Sequence, residues 1–206
     1  MLAALALAWS PTEAMADTFT VTNLANDGGG SLRDAVAQAN ANPGDDNVEF
    51  LPALSGTIQL DSSIPVTGSA GLQILGDGRI ELDGQAQTRL FTIQLDDATF
   101  MRNVTLSGLV LRNGVSNGGG AVFISGFNAK LVLQGTHVLN CAAVNGPEAA
   151  GGAILARFGG GVSVVSSTIS GNRASQHGGA IALDKRAFLD LPPGSLLISN
   201  LSLIHI

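Results

Sequence analysis

Val104-Thr105-Leu106…Asn113, Leu131-Val132-Leu133…Asn140, Val162-Ser163-Val164…Asn172 and Leu189-Asp190-Leu191…Asn200 are four statements of one phrase. A second phrase follows each of the first three: Gly119-Gly120-Ala121-Val122, Gly151-Gly152-Ala153-Ile154 and Gly178-Gly179-Ala180-Ile181. The asparagines recur at intervals of 27, 32 and 28 residues. Self-similarity at such a period is the mark of a solenoid, and it outranks any single-residue motif in deciding the fold.

Within each unit, β-branched residues and leucines alternate with polar ones, which is the pattern of a strand with one face in and one out. No unit holds a stretch of helical period, so leucine-rich and βαβ readings fail. The units are also too short for propeller blades, which need about 40 residues each. What remains is a chain that turns a corner every few residues and stacks each turn on the last. The expected fold is an all-β solenoid, a right-handed parallel β-helix, with coils separated by the spacing of hydrogen-bonded strands, about 4.8 Å. A single coil cannot bury its own apolar face, whereas a stack makes a continuous core.

Corners between short strands often need φ > 0, which glycine adopts freely and asparagine tolerates. Asn113, Asn140, Asn172 and Asn200, with Gly120, Gly152 and Gly179, are therefore read as structural turn residues, and Asn140, Asn172 and Asn200 as a stacked ladder whose amides pair buried backbone groups. Ordinary surface turns are the competing reading.

The 206 residues include 27 Gly and no Tyr, with 45% hydrophobic and 13% charged. Low charge with many small residues suits tight corners and stacked strands rather than a helical bundle. The net charge of −6 argues against nucleic acid as a partner. Lys185-Arg186 is the one adjacent basic pair. Cys141 is the only cysteine, so no intrachain disulfide forms and stability has to come from stacking.

Residues 2–9 form an apolar run too short to span a bilayer, and Ala14-Met15-Ala16 is a small-x-small cleavage site. Residues 1–16 are read as a secretory signal peptide, with Asp17 as the mature N-terminus. Residues 17–55 should form an N-terminal cap of strand, helix over 32–41 and strand. Ser31 is its N-cap, Asp34 the capping-box partner, and Leu32, Ala35, Val36 and Ala39 the apolar stripe. Such a helix would cover the open edge of the first coil. Residues 56–200 should be β-helix coils. The chain stops inside or just after a coil, so it is read as a fragment, with residues 201–206 as a truncated or non-native end.

Gly30-Ser31-Leu32-Arg33-Asp34-Ala35-Val36 with Ala39-Asn40-Ala41-Asn42 resembles the CSLREA-type N-terminal motif of secreted bacterial β-helix proteins, with Gly30 in place of the family's Cys and Asp34 in place of its Glu. The Gly-Gly-Ala-φ phrases with an upstream Asn resemble the repeats of chlamydial-type polymorphic outer-membrane proteins, which are autotransported surface adhesins. Those repeats favour a Phe-x-x-Asn corner, which Leu139-Asn140 and Ser170-Gly171-Asn172 only approximate. The resemblance implies a secreted, extracellular or outer-membrane-surface protein of adhesin type.

Catalysis is the competing possibility. Glycoside hydrolysis needs two carboxylates about 5–9.5 Å apart. Asp96-Asp97 is the weak candidate pair, but neighbours on a strand point to opposite faces. A lyase would want calcium, for which Asp77, Asp83, Asp96 and Asp97 offer oxygens without a calcium-loop motif. His137 and Cys141 do not share a face in a strand–turn context, and three His are too few for a zinc site. Gly118-Gly119-Gly120 lacks the Lys-Ser/Thr of a phosphate loop. No cofactor is expected. The function expected is a non-catalytic scaffold, like an autotransporter passenger, whose partner is a host or environmental surface ligand or a polysaccharide. A membrane would be met only through an anchor or barrel beyond residue 206. The competing expectation is a fragment of a carbohydrate-active enzyme, either polysaccharide lyase or glycoside hydrolase.

Overall fold

A computed structural model describes residues 15–95, 100–146, 149–184 and 186–192, together with the backbone of the strands Leu196–Ile198 and Ile204–His205. The chain is a right-handed parallel β-helix of about six turns. Every strand pairing found is parallel and joins one coil to the next.

A full coil visits four faces, the third of which carries strands only in the middle coils. The first face carries Thr18–Val21, Asp46–Phe50, the start of Leu72–Asp83, the start of Arg102–Arg112, Ala129–Gln134, Gly161–Val165 and Phe188–Asp190. After a kink, the second face carries Gly56–Gln59, the ends of the two long strands, His137–Leu139, Ser167–Ser170 and Leu196–Ile198. A corner leads to a short face of two-residue strands, Val115–Ser116, Ala142–Ala143 and Arg173–Ala174. The rear face is a six-stranded sheet, running from Ile64–Val66 through Phe91–Gln94, Val122–Ser125, Ile154–Arg157 and Ile181–Leu183 to Ile204–His205.

The repeated phrases therefore have fixed places. The x-φ-x-φ phrase is the first face, the Asn region is the corner after the second, and Gly-Gly-Ala-φ is the entry to the rear. In-register pairing stacks like on like inside the coil. Phe19, Val48, Ile74, Leu106, Leu133 and Val164 form one column, and Ile64, Phe91, Val122, Ile154 and Ile181 form another. Leu131, Leu133, Val162 and Val164 are wholly buried. This column packing is what a single coil lacks, and it explains why short alternating segments hold strand geometry at all.

The interior is not uniformly apolar. At the kink between the first and second faces, the column Ile80–Leu109 gives way to Thr136 and Ser167. Thr136 Oγ1 donates to Leu106 O at 2.9 Å, and Ser167 Oγ accepts from Thr136 N at 3.0 Å. The hydroxyls pair backbone groups that the kink takes out of the ladder.

The helix, Leu32–Ala41, lies against the first-coil strands and covers the end of the stack. Its N-terminus is a reciprocal capping box: Asp34 N donates to Ser31 Oγ at 3.2 Å, and Gly30 N donates to Asp34 Oδ2 at 2.9 Å. Leu32, Ala35, Val36 and Ala39 face the core. Arg33 ties the helix to the coil below through Ser62 O and Ser63 O at 2.6 and 2.9 Å. No helix among the described residues is long and apolar enough to cross a membrane.

Candidate functional site

The asparagines divide into two jobs. Asn113 and Asn140 sit one above the other at the corner, with φ 53° and 55°. In the next coil Gly171, at φ 67°, takes that place, and Asn172 falls one residue later. Asn172 is buried. Its Oδ1 accepts from Cys141 N at 2.8 Å and its Nδ2 donates to Val138 O at 3.0 Å. The ladder expected over Asn140, Asn172 and Asn200 is therefore corrected at Asn172: the left-handed corner is made of Asn113, Asn140 and Gly171, and Asn172 is a buried bridging amide one residue past it. Insertion of residues between coils shifts the spacing without shifting the corner. Asn200 lies outside the described residues.

The glycine pairs divide similarly. Positive φ belongs to the first member of each, Gly119, Gly151 and Gly178, at 66°, 64° and 60°. The second members, Gly120, Gly152 and Gly179, stack so closely that a Cβ on Gly152 would lie 2.0 Å from Gly179 O, and one on Gly120 would lie 2.4 Å from Gly152 O.

Asp96 and Asp97 lie outside the described residues, as do residues 1–14 and Lys185. Of the other oxygen ligands considered, Asp77 pairs with Arg79 at 3.1 Å. Asp83 accepts from Asn113 Nδ2 and Gln85 N at 3.1 and 2.8 Å and forms an ion pair with Arg112 Nη2 at 3.1 Å. His137 is exposed while Cys141 is buried, so the two face opposite sides of the wall. Burial pushes the Cys141 thiol up to about 12. Among the described residues no three of His, Cys, Asp and Glu come together as a metal site requires.

The most distinctive surface is the outside of the rear face. Phe123, Leu155 and Ala182 stack as an apolar row on that side, with Leu155 and Ala182 buried and Phe123 half-buried. Arg89 stands in the coil above at the place held by Gly120 one coil later, because Phe91 pairs with Val122. Its guanidinium donates to Gly119 O, Gly118 O and Thr92 Oγ1 at 3.0, 2.7 and 3.2 Å, and lies 5.2 Å from the Phe123 ring centre. Desolvation lowers its pKa, yet an arginine remains cationic at neutral pH. All its acceptors are neutral, and among the described residues no carboxylate pairs with it. Arg157, across the hollow, forms an ion pair with buried Asp184, Nε lying 3.0 Å from Oδ2 without the alignment of a hydrogen bond. Arg89, Asn117, Gly118, Phe123, Leu155 and Arg157 enclose a cavity of about 240 Å³.

Arg157 also leads into the corner that returns the chain to the first face. Three of the exposed phenylalanines lie at that corner, one per coil: Phe100, Phe127 and Phe158, at 70%, 58% and 45% exposure, while Phe188, at 37%, lies just past it on the first-face strand of the next coil. Phe127 lies over Gly159 and Phe188 over Gly161, where a Cβ would come within 2.9 Å and 2.3 Å of the rings. Phe158 is held at φ 52°, a strained conformation for a bulky residue. Sequence reading missed this row because its members fall outside both repeated phrases. The Thr88-Arg89 that replaces a Gly-Gly pair was the signal for the cavity.

A second, polar cavity of about 160 Å³ lies near the cap, lined by Asp45, Asp46, Gln73, Arg102 and Asn103 among others. Asp46 Oδ2 and Arg102 Nε are buried there without hydrogen-bond partners. No protein-family model matches the chain, and no curated protein matches it.

Proposed function

We propose that the protein is a secreted or cell-surface β-helix scaffold of adhesin or autotransporter-passenger type that binds a surface ligand rather than transforming it. The observation that carries this reading is the division of labour on the outside of the coil. Charged side chains are tied to other coils, Glu81 and Asp83 to Arg112 at 2.8 and 3.1 Å and Lys130 to Asp190 at 2.9 Å. Exposed aromatic rings, by contrast, gather in one row beside a cavity with an uncompensated cation. The first arrangement locks the stack and the second offers a binding surface. The apolar run before Ala14-Met15-Ala16, the cap motif at Gly30–Val36 and the Gly-Gly-Ala phrases support the secreted and CSLREA-like, polymorphic-outer-membrane-protein-like aspects of the reading.

The test is incubation of the purified chain with pectin, alginate and similar polymers. New sugar ends should not appear. Turnover would refute the scaffold reading in favour of a carbohydrate-active enzyme.

A further inference from the structure

The rear cavity and the aromatic corner form one continuous strip, joined where Arg157 is followed by Phe158. We propose that this strip binds a linear polysaccharide carrying carboxylates. The inference rests on the scaffold reading and names its ligand. A half-buried guanidinium bonded only to neutral oxygens is a receptor for an anion, and a carboxylate matches its planar fork. Sugar rings present apolar faces that lie flat on aromatic rings, and the Phe100, Phe127 and Phe158 rings rise coil by coil along the corner, with Phe188 beside them at the start of the first face. The glycines beneath two of the rings and the strained backbone at Phe158 hold them in place before any ligand arrives. An apolar protein partner would not need the buried cation, and a free small anion would not need the row.

The test measures binding of polygalacturonate, alginate and hyaluronate to the purified chain, each beside the same polymer with its carboxyls amidated. At least one acidic polymer should bind, with at least tenfold loss on amidation and a similar loss in Arg89→Gln. Phe158→Gly removes a ring while relieving the left-handed backbone, so it should weaken binding at least threefold with no fall in Tm. No binding by any acidic polymer, equal binding after amidation, or unchanged binding by Phe158→Gly would each overturn the proposal. Release of new sugar ends would instead overturn the scaffold reading, so the two failures are distinguishable.

A separate observation concerns Asp17. Its backbone N donates to Asp46 Oδ1 at 2.9 Å, and its carbonyl accepts from Asn47 N at 2.8 Å. Asp46 is 2% exposed, takes a second bond from Asn42 Nδ2 at 2.7 Å, and keeps Oδ2 buried and unpartnered. An amide supplies one N–H where the carboxylate has room for more. We infer that Asp46 is a receptor for the free α-amine of Asp17, formed by cleavage after Ala16. A signal-peptidase-class protease adds water across the Ala16–Asp17 bond. The C–N bond breaks, the water oxygen ends on the Ala16 carboxylate, and both protons end on the Asp17 nitrogen as an ammonium.

Mass spectrometry of the secreted chain should show Asp17 as the first residue. A chain starting at Asp17 should melt above one starting at Met15, and Asp46→Asn should abolish the difference. A different first residue, or a difference that survives Asp46→Asn, would overturn the inference.

Discussion

Asn172 offers the sharpest test of how the coils are held together. In Asn172→Ala, Cys141 N–H and Val138 C=O lose their partners inside the wall, where Val138 and Cys141 are wholly buried. Each buried group left unpaired costs about 1–3 kcal/mol, so the variant should lose about 2–6 kcal/mol. That is a large share of the stability of an ordinary domain, about 5–15 kcal/mol. The effect should also be local, because a solenoid is stabilised by nearest-neighbour contacts. Urea denaturation reads the total, and amide hydrogen exchange reads the place, with Cys141 N–H losing protection before amides of the cap helix. Asn172→Asp keeps the acceptor for Cys141 but loses the donor to Val138 and buries a charge, so it should be at least as damaging. The corner residue Asn140 is the control. At φ 55°, Asn140→Gly should change stability by no more than about 1 kcal/mol. A loss below about 0.5 kcal/mol in Asn172→Ala, with Cys141 still protected, would refute the bridging role.

Gly152→Ala should prevent folding or cost more than about 4 kcal/mol, since its Cβ would meet Gly179 O and Arg173 O at 2.0 and 2.4 Å. Gly135→Ala, at φ 56° with no atom within 4 Å, should cost only about 1–2 kcal/mol, and thermal melts compare the two. Ser31→Ala should cost about 0.5–2 kcal/mol by releasing the Asp34 amide, measured by the same melts. Cys141 should resist iodoacetamide at pH 8 until urea unfolds the chain, and labelling at the rate of a free thiol would contradict its burial. Because its folded pKa is raised, the contribution of the neutral thiol is fully present below its ordinary value of 9.0 and is lost as pH rises towards about 12. Alkaline titration of stability should therefore fall more steeply for the native chain than for Cys141→Ala.

The repeated phrases made the coil legible because strand alternation and left-handed corners are local requirements. Val104-Thr105-Leu106 and its successors had to put one side in, and the Gly-Gly-Ala phrases had to turn a corner, although the close approach of Gly120, Gly152 and Gly179 emerged only from the stacking. The cap helix was legible for the same reason: Ser31, Asp34 and the stripe from Leu32 to Ala39 lie within three turns of one another, and they appear where the spacing placed them. The asparagine spacing misled at Asn172, since a period read along the chain cannot tell a residue at the corner from one a position past it.

Register between coils was decided in three dimensions, and most of the candidate site follows from it. Arg89 meets Phe123 and the Gly118 and Gly119 carbonyls only because Phe91 stacks on Val122, some thirty residues along. Phe100, Phe127 and Phe158 become a row, with Phe188 beside it, only when coils of unequal length are wound to a common corner. Local composition sets which residues can turn, alternate and cap. Hydrogen bonding between coils decides which distant side chains stand next to one another, because each rung is held to its neighbour at strand spacing whatever length of loop lies between them.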